Sequence, residues 1–140
     1  MQDGLSRPLH HVLFVDDDAD VQTAARLLLS RHDLRVSGAR NPAEAWSVLT
    51  AERVDLILLD LNFSRGATSG AEGFKCLAEI MNHDPDAVVV VVTGHSGVAV
   101  AVEAMRAGAS DFVMKPWRND RLIQTLKRAC LLYTSDAADE

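Results

Sequence analysis

Residues 58–74 read "LLDLNFSRGATSGAEGF": an apolar run ends in Asp60, and small, polar and glycine residues follow before the next helical pattern. A carboxylate brought out of a buried strand, with its next helix delayed, calls for a chemical reason. Working outward from it, short apolar runs alternate with helical patterns. Strands are expected over residues 11–15, 34–37, 55–59, 87–92 and 111–114, and helices over 19–32, 42–52, 72–83, 97–107 and 119–132. Near-continuous apolar runs such as "DLILL" and "AVVVVV" suit parallel strands buried on both faces. In the first helix Val21, Ala24, Ala25, Leu28 and Leu29 share a face. Asn41-Pro42 fits a cap followed by proline at the first helical position. Val98, Val100 and Val102 alternate as in a strand, but "EAMR" and the closing Gly108 favour a helix that serves as a crossover. Five βα units indicate an α/β fold, an open doubly wound parallel sheet with helices on both faces. Its active crevice lies beyond the carboxyl ends of the strands.

The chain as a whole fits that frame. Its 140 residues make one domain with a real core, and 48% hydrophobic against 24% charged residues is a globular balance. A net charge of −6 argues against direct nucleic-acid binding, which needs clustered Lys and Arg. No apolar run approaches the ~20 residues of a membrane span. The opening "MQDGLSRPLHH" lacks the apolar centre of a signal peptide, so residues 1–10 read as a tail and the location as cytoplasmic. Cys76 and Cys130 form neither a metal-type nor a disulfide-type pattern and are expected as reduced thiols.

Four strand ends carry the chemistry. The first strand runs into Asp16-Asp17-Asp18, the third into Asp60, the fourth into Thr93-Gly94 and the fifth into Lys115-Pro116. Aspartates brought together repel, and each ionised one is costly to bury unpaired. Hard oxygen ligands without His or Cys beside them favour Mg²⁺, which takes one or two carboxylates, keeps waters and accepts phosphate oxygens. Lys115 adds a compact positive charge and Thr93 a hydroxyl donor. The set suits phosphoryl transfer, where positioning and charge neutralisation do most of the work. Each element alone is commonplace, since an acidic cluster after a strand is usually a solvated turn or a cap. Four of them at four strand ends carry the inference.

These residues resemble the receiver domain of bacterial two-component response regulators. The likeness runs over about residues 10 to 129 through "VLFVDDD", "DLILLDLNF", "VVVVVTGHS" and "AMRAGASDFVMKPW", in that order. It implies a flavodoxin-like strand order 2-1-3-4-5. It also implies that Asp60 takes a phosphoryl group from a sensor histidine kinase, and that Asp16, Asp17, Asp60 and the Asn62 carbonyl hold Mg²⁺. Asp18 would be a solvent-facing neighbour. Thr93 and Lys115 would bind the phosphoryl group, with a cis bond before Pro116, and Thr93 and Phe112 would form the switch. Phosphorylation would then shift the surface of the fourth helix, fifth strand and fifth helix, with a phosphorylation-dependent dimer as a further partner. Such a domain phosphorylates itself and slowly dephosphorylates, but is no enzyme in the ordinary sense.

The sequence departs from the common family pattern after Asp60. Family members usually follow the acceptor with a short Met-Pro turn, whereas here Phe63 and "SRGATSGA" precede Glu72-Gly73. The longer loop and "KPW" resemble NtrC-like regulators, in which an ATPase and a DNA-binding domain follow. Gly66, Gly70 and Gly73 can supply turns at positive φ. Ser64, Thr68 and Ser69 could cap the next helix or contact the phosphoryl group, and a plain surface loop reads equally well.

Residues 130–140, "CLLYTSDAADE", read as an in-frame translation of a transposase-type sequencing adapter. The receiver domain is then expected over residues 11–129, its effector lost by truncation. A phosphohydrolase of the haloacid dehalogenase type is the main rival, because Asp16 and Asp18 mimic its D-x-D start. Neither its usual continuation nor its late acidic pair follows. An interaction-only receiver that takes no phosphate is a third reading, opposed by the intact site.

Overall fold

The computed structural model describes residues 10–61, 71–94 and 98–138. In chain order these form β1 (His10–Val15), α1 (Ala19–Ser30), β2 (Leu34–Ala39), α2 (Pro42–Ala51), β3 (Leu56–Asp60), α3 (Ala71–His83), β4 (Val89–Thr93), α4 (Val98–Arg106), β5 (Asp111–Met114) and α5 (Asn119–Ala138). The strands make one parallel sheet in the order β2-β1-β3-β4-β5. This is the expected architecture.

The sheet is covered on both sides, which is why its strands read as continuous apolar runs. Val12, Phe14, Leu56, Leu58, Val90 and Val92 face one way, against Ala25 and Leu29 of α1 and Leu122 and Leu126 of α5. The alternate residues Leu13, Val15, Ile57, Leu59, Val89 and Val91 face the other way, against Ala45 of α2, Leu77 and Ile80 of α3 and Ala104 of α4. Period-two alternation therefore feeds two cores from each strand. Among the described residues no helix is long and apolar enough to cross a membrane.

Local chemistry sets the helix starts. Asp18 caps α1, its carboxylate accepting from the Asp20 and Val21 N–H groups at 2.9 and 3.2 Å. Asn41 caps α2, accepting from Glu44 N–H at 2.9 Å, with Pro42 in the first turn as expected. The ambiguous valine segment is helix: Ala101 and Ala104 turn inward, while Val98 and Val102 are exposed. Small residues make that buried seam, so the valine spacing misleads.

Three expectations are corrected. The inner seam of α1 is Gln22, Ala25 and Leu29, and Ala24 faces solvent. Gly73 does not turn at positive φ but lies within α3, where an added Cβ would collide with the Leu61 backbone. The last helix does not stop at 132 but continues to Ala138, since no Gly or Pro interrupts it. Strand bounds differ by one or two residues, and both β3 and β4 extend to include Asp60 and Thr93.

Candidate functional site

All four strand ends meet at one edge of the sheet. Asp16, one residue past β1, is fully buried. Its N–H donates to the Ala39 carbonyl at 2.9 Å, and its Oδ1 accepts from Asp18 N–H at 2.9 Å. Asp60 closes β3 and is also buried, while Asp17 is exposed. Lys115 Nζ reaches across, 2.8 Å from Asp16 Oδ2 and 3.2 Å from Asp60 Oδ2. One carboxylate oxygen from each of Asp16, Asp17 and Asp60 lies within 4.8 Å of the others.

Among the described residues, the Lys115 ammonium pairs with two buried carboxylates, Asp16 and Asp60, and the exposed Asp17 lies beside them. Burial is the largest single influence on Lys115 and favours its neutral form. The hydrogen bond to Asp16, the charges of Asp60 and Asp16 and the hydrogen bond to Asp60 together outweigh it, so the amine is held above its ordinary value of 10.5. A hard divalent cation fits this all-oxygen donor set.

Thr93 contributes a buried hydroxyl that has no hydrogen-bond partner among the described residues. Its carbonyl accepts from Lys115 N–H at 2.7 Å, which ties β5's exit to β4's. A Cβ at Gly94 would meet only open space among the described residues. The Lys115–Pro116 bond is cis, as the resemblance implied. Trp117 then packs on Phe14, ring centroids 6.2 Å apart. Phe112 pairs with Val91 and Met114 with Thr93, so Phe112 and Thr93 lie on one face of the sheet, on adjacent strands and two residues apart in register. Phe112 is 37% exposed, so it is not plain strand core.

Asp18 stands apart from the cluster because its carboxylate is occupied in capping α1. That removes it from the D-x-D role of the rival hydrolase reading. Asn62 and the insertion 64–71 lie outside the described residues, apart from the backbone of Ala71. Sequence reasoning missed Gln22, a buried amide whose Nε2 donates to the Phe14, Asp16 and Ala39 carbonyls. The signal was present: a polar residue one position along from Val21, on the inner side of α1.

The fold and this edge define a phosphoacceptor signalling module, and comparison with known proteins agrees. The chain belongs to the response regulator receiver domain family, whose model matches residues 12–127. It is 33% identical over 118 residues to the C4-dicarboxylate transport transcriptional regulatory protein DctD of Rhizobium meliloti, covering 84% of this chain and 25% of that protein. The receiver domain of NtrX from Brucella abortus superposes with a TM-score of 0.78 at 32% identity, over 85% of this chain and 97% of that one. The N-terminal receiver domain of a Bacteroides fragilis two-component response regulator gives a TM-score of 0.78 at 37% identity, covering 87% and 97%. The chain spans about a quarter of the length of the curated relatives it matches. Those relatives are NtrC-like regulators, in keeping with the resemblance read from the loop and "KPW".

Proposed function

We propose that Asp60 is the phosphoacceptor, that Asp16, Asp17 and Asp60 hold Mg²⁺, and that Lys115 and Thr93 bind the phosphoryl group. The observation that carries this is the convergence of Asp16 Oδ2 and Asp60 Oδ2 on Lys115 Nζ, with Asp17 beside them. An Asp60 oxygen attacks phosphorus, the bond from phosphorus to the donor's leaving atom breaks, and the leaving group keeps that electron pair. When bound, Mg²⁺ would offset charge on the transferring oxygens. Lys115 is already oriented on Asp60 and would follow the new negative charge. Thr93 has a hydroxyl with no other partner among the described residues, free to donate to a phosphoryl oxygen. By the resemblance, the Asn62 carbonyl would complete the metal site.

Movement of Thr93 toward the phosphoryl group would open space on the face it shares with Phe112. Rotation of that ring is then the switch, altering the surface of α4, β5 and α5 by a two-state packing change. A sensor histidine kinase is the donor, in the cytoplasm, and an effector of the NtrC-like kind reads the change, with or without dimerisation. The domain itself catalyses no turnover beyond its own phosphorylation and dephosphorylation.

The test is intact mass after incubation with Mg²⁺ and a small acyl-phosphate donor. One phosphoryl group should be gained, and the gain should be lost in Asp60→Asn and in EDTA. No gain by the folded protein would support the interaction-only reading. Steady phosphate release that depends on Asp16 rather than Asp60 would support the hydrolase.

A further inference from the structure

The buried seam of α1 opens with an amide where an apolar residue is ordinary. Gln22 is 7% exposed, and its Nε2 lies 3.0 Å from each of three carbonyl oxygens, those of Phe14, Asp16 and Ala39. Three acceptors around one atom identify it as the nitrogen, since an oxygen there would face acceptors alone. Two N–H groups serve three carbonyls, so one is shared. The Ala39 carbonyl also receives the Asp16 N–H at 2.9 Å. The main chain at the ends of β1 and β2 is thus gathered onto one side chain, at the residue that delivers Asp16.

Two further facts show that the place is built for this amide. Gly38 on β2 makes its room, because a Cβ there would collide with Gln22 Oε1. That oxygen is buried without a hydrogen-bond partner among the described residues. An apolar side chain of the same length would fill the space without that desolvation cost. It could not hold the three carbonyls.

We infer that Gln22 is a positioning residue for the acidic pocket: by fixing the main chain at Asp16, it aims the Asp16 carboxylate and sets Mg²⁺ affinity. Among the described residues Gln22 bonds main-chain carbonyls and no side chain of the pocket, so it acts through the turn that carries Asp16 and Asp17. The inference rests on the Mg²⁺ reading proposed above.

The experiment is direct Mg²⁺ titration by calorimetry of the full chain, Gln22→Met, Gly38→Ala and the double variant, with urea unfolding in EDTA as the folding control. Groups that orient metal ligands are typically worth 10–100-fold in affinity, so Gln22→Met should bind Mg²⁺ about 10-fold more weakly. Gly38→Ala, which displaces the amide without removing it, should shift affinity the same way. The double variant should be no worse than Gln22→Met, because both changes act through one group. At saturating Mg²⁺, phosphorylation of Asp60 in Gln22→Met should recover, which a general loss of structure would not allow. If Gln22→Met does not fold, Gly38→Ala carries the test alone. Unchanged affinity in the folded variants, or additive losses in the double variant, would overturn the inference. Failure of the unaltered chain to bind Mg²⁺ would instead overturn the metal reading, and this inference with it.

Discussion

Lys115 Nζ lies 2.8 Å from Asp16 Oδ2, an ion pair that joins the exit of the last strand to the exit of the first across 99 residues of chain. With Asp60 3.2 Å away, the same ammonium serves two buried carboxylates. Its loss leaves them facing each other. Removing one partner of a fully buried pair costs about 3–5 kcal/mol, and Lys115, whose side chain is 29% exposed, should cost less, about 1–3 kcal/mol. Lys115→Met is therefore expected to lower the urea midpoint in EDTA, and Mg²⁺ to restore part of the loss. Asp60→Asn should do the reverse, holding or raising stability in EDTA by relieving repulsion and losing most of the gain from Mg²⁺. Equal midpoints for Lys115→Met and the parent chain in EDTA would mean that the pair contributes nothing.

The same contact makes stability depend on alkaline pH. The folded-state value for Lys115 lies above the ordinary 10.5, so the folded protein holds that proton more tightly than the unfolded chain does. Its contribution is fully present below about 10.5 and is lost as pH rises through the folded value. Buried Cys76 and Cys130, both pushed from 9.0 up to about 11, chiefly by burial, act in the same direction between those values. Stability should therefore fall from about pH 9 upward. The lysine part is isolated as the difference between the parent and Lys115→Met in urea unfolding across that range. A difference that does not shrink above pH 10.5 would contradict the assigned cause.

Gly73→Ala tests what holds α3 against the end of β3. Alanine is favoured over glycine inside a helix by about 1 kcal/mol. Here the new Cβ would overlap the backbone of Leu61, the residue after Asp60, and backbone cannot swing aside as a flexible side chain can. Overlap should win, with a net loss of about 2 kcal/mol or more, in the range of overpacking changes. Weaker phosphorylation of Asp60 should accompany it. A more stable Gly73→Ala protein would show that propensity dominates and that the close approach relaxes freely.

Much of this was legible in the sequence because burial on both faces leaves a plain mark. The runs "HVLFV", "DLILL" and "AVVVVV" suit central strands, and their ends, with that of "DFVM", placed Asp16, Asp60, Thr93 and Lys115 on one edge. What stayed hidden depends on contacts between segments far apart in sequence. The place of Gln22 beside Val21 marks it as inward-facing, but its partners stay hidden, since they lie on β2 as well as β1. Gly73 looked like a turn residue for the same reason, its need being set by Leu61 across the loop. Asp18 was legible as solvent-facing, but its capping role emerges only with the start of α1 fixed.

Thr93→Val separates the switch from the acceptor. The Thr93 hydroxyl is buried without a hydrogen-bond partner among the described residues, a state that costs about 1–3 kcal/mol of desolvation. Valine keeps the shape and drops the hydroxyl, so the unphosphorylated variant should be as stable as the parent or up to about 1–3 kcal/mol more so. Few buried substitutions are expected to have that sign. Asp60, Asp16 and Lys115 are untouched, so phosphorylation should still occur, more slowly for want of one donor. What should vanish is the response at Phe112, on the adjacent strand and the same face. Its ring resonances, followed by NMR with and without the phosphoryl group, should move in the parent and stay fixed in Thr93→Val. Destabilisation by the valine would show that the hydroxyl is engaged before phosphorylation. An unaltered Phe112 response would show that the ring is driven by another route.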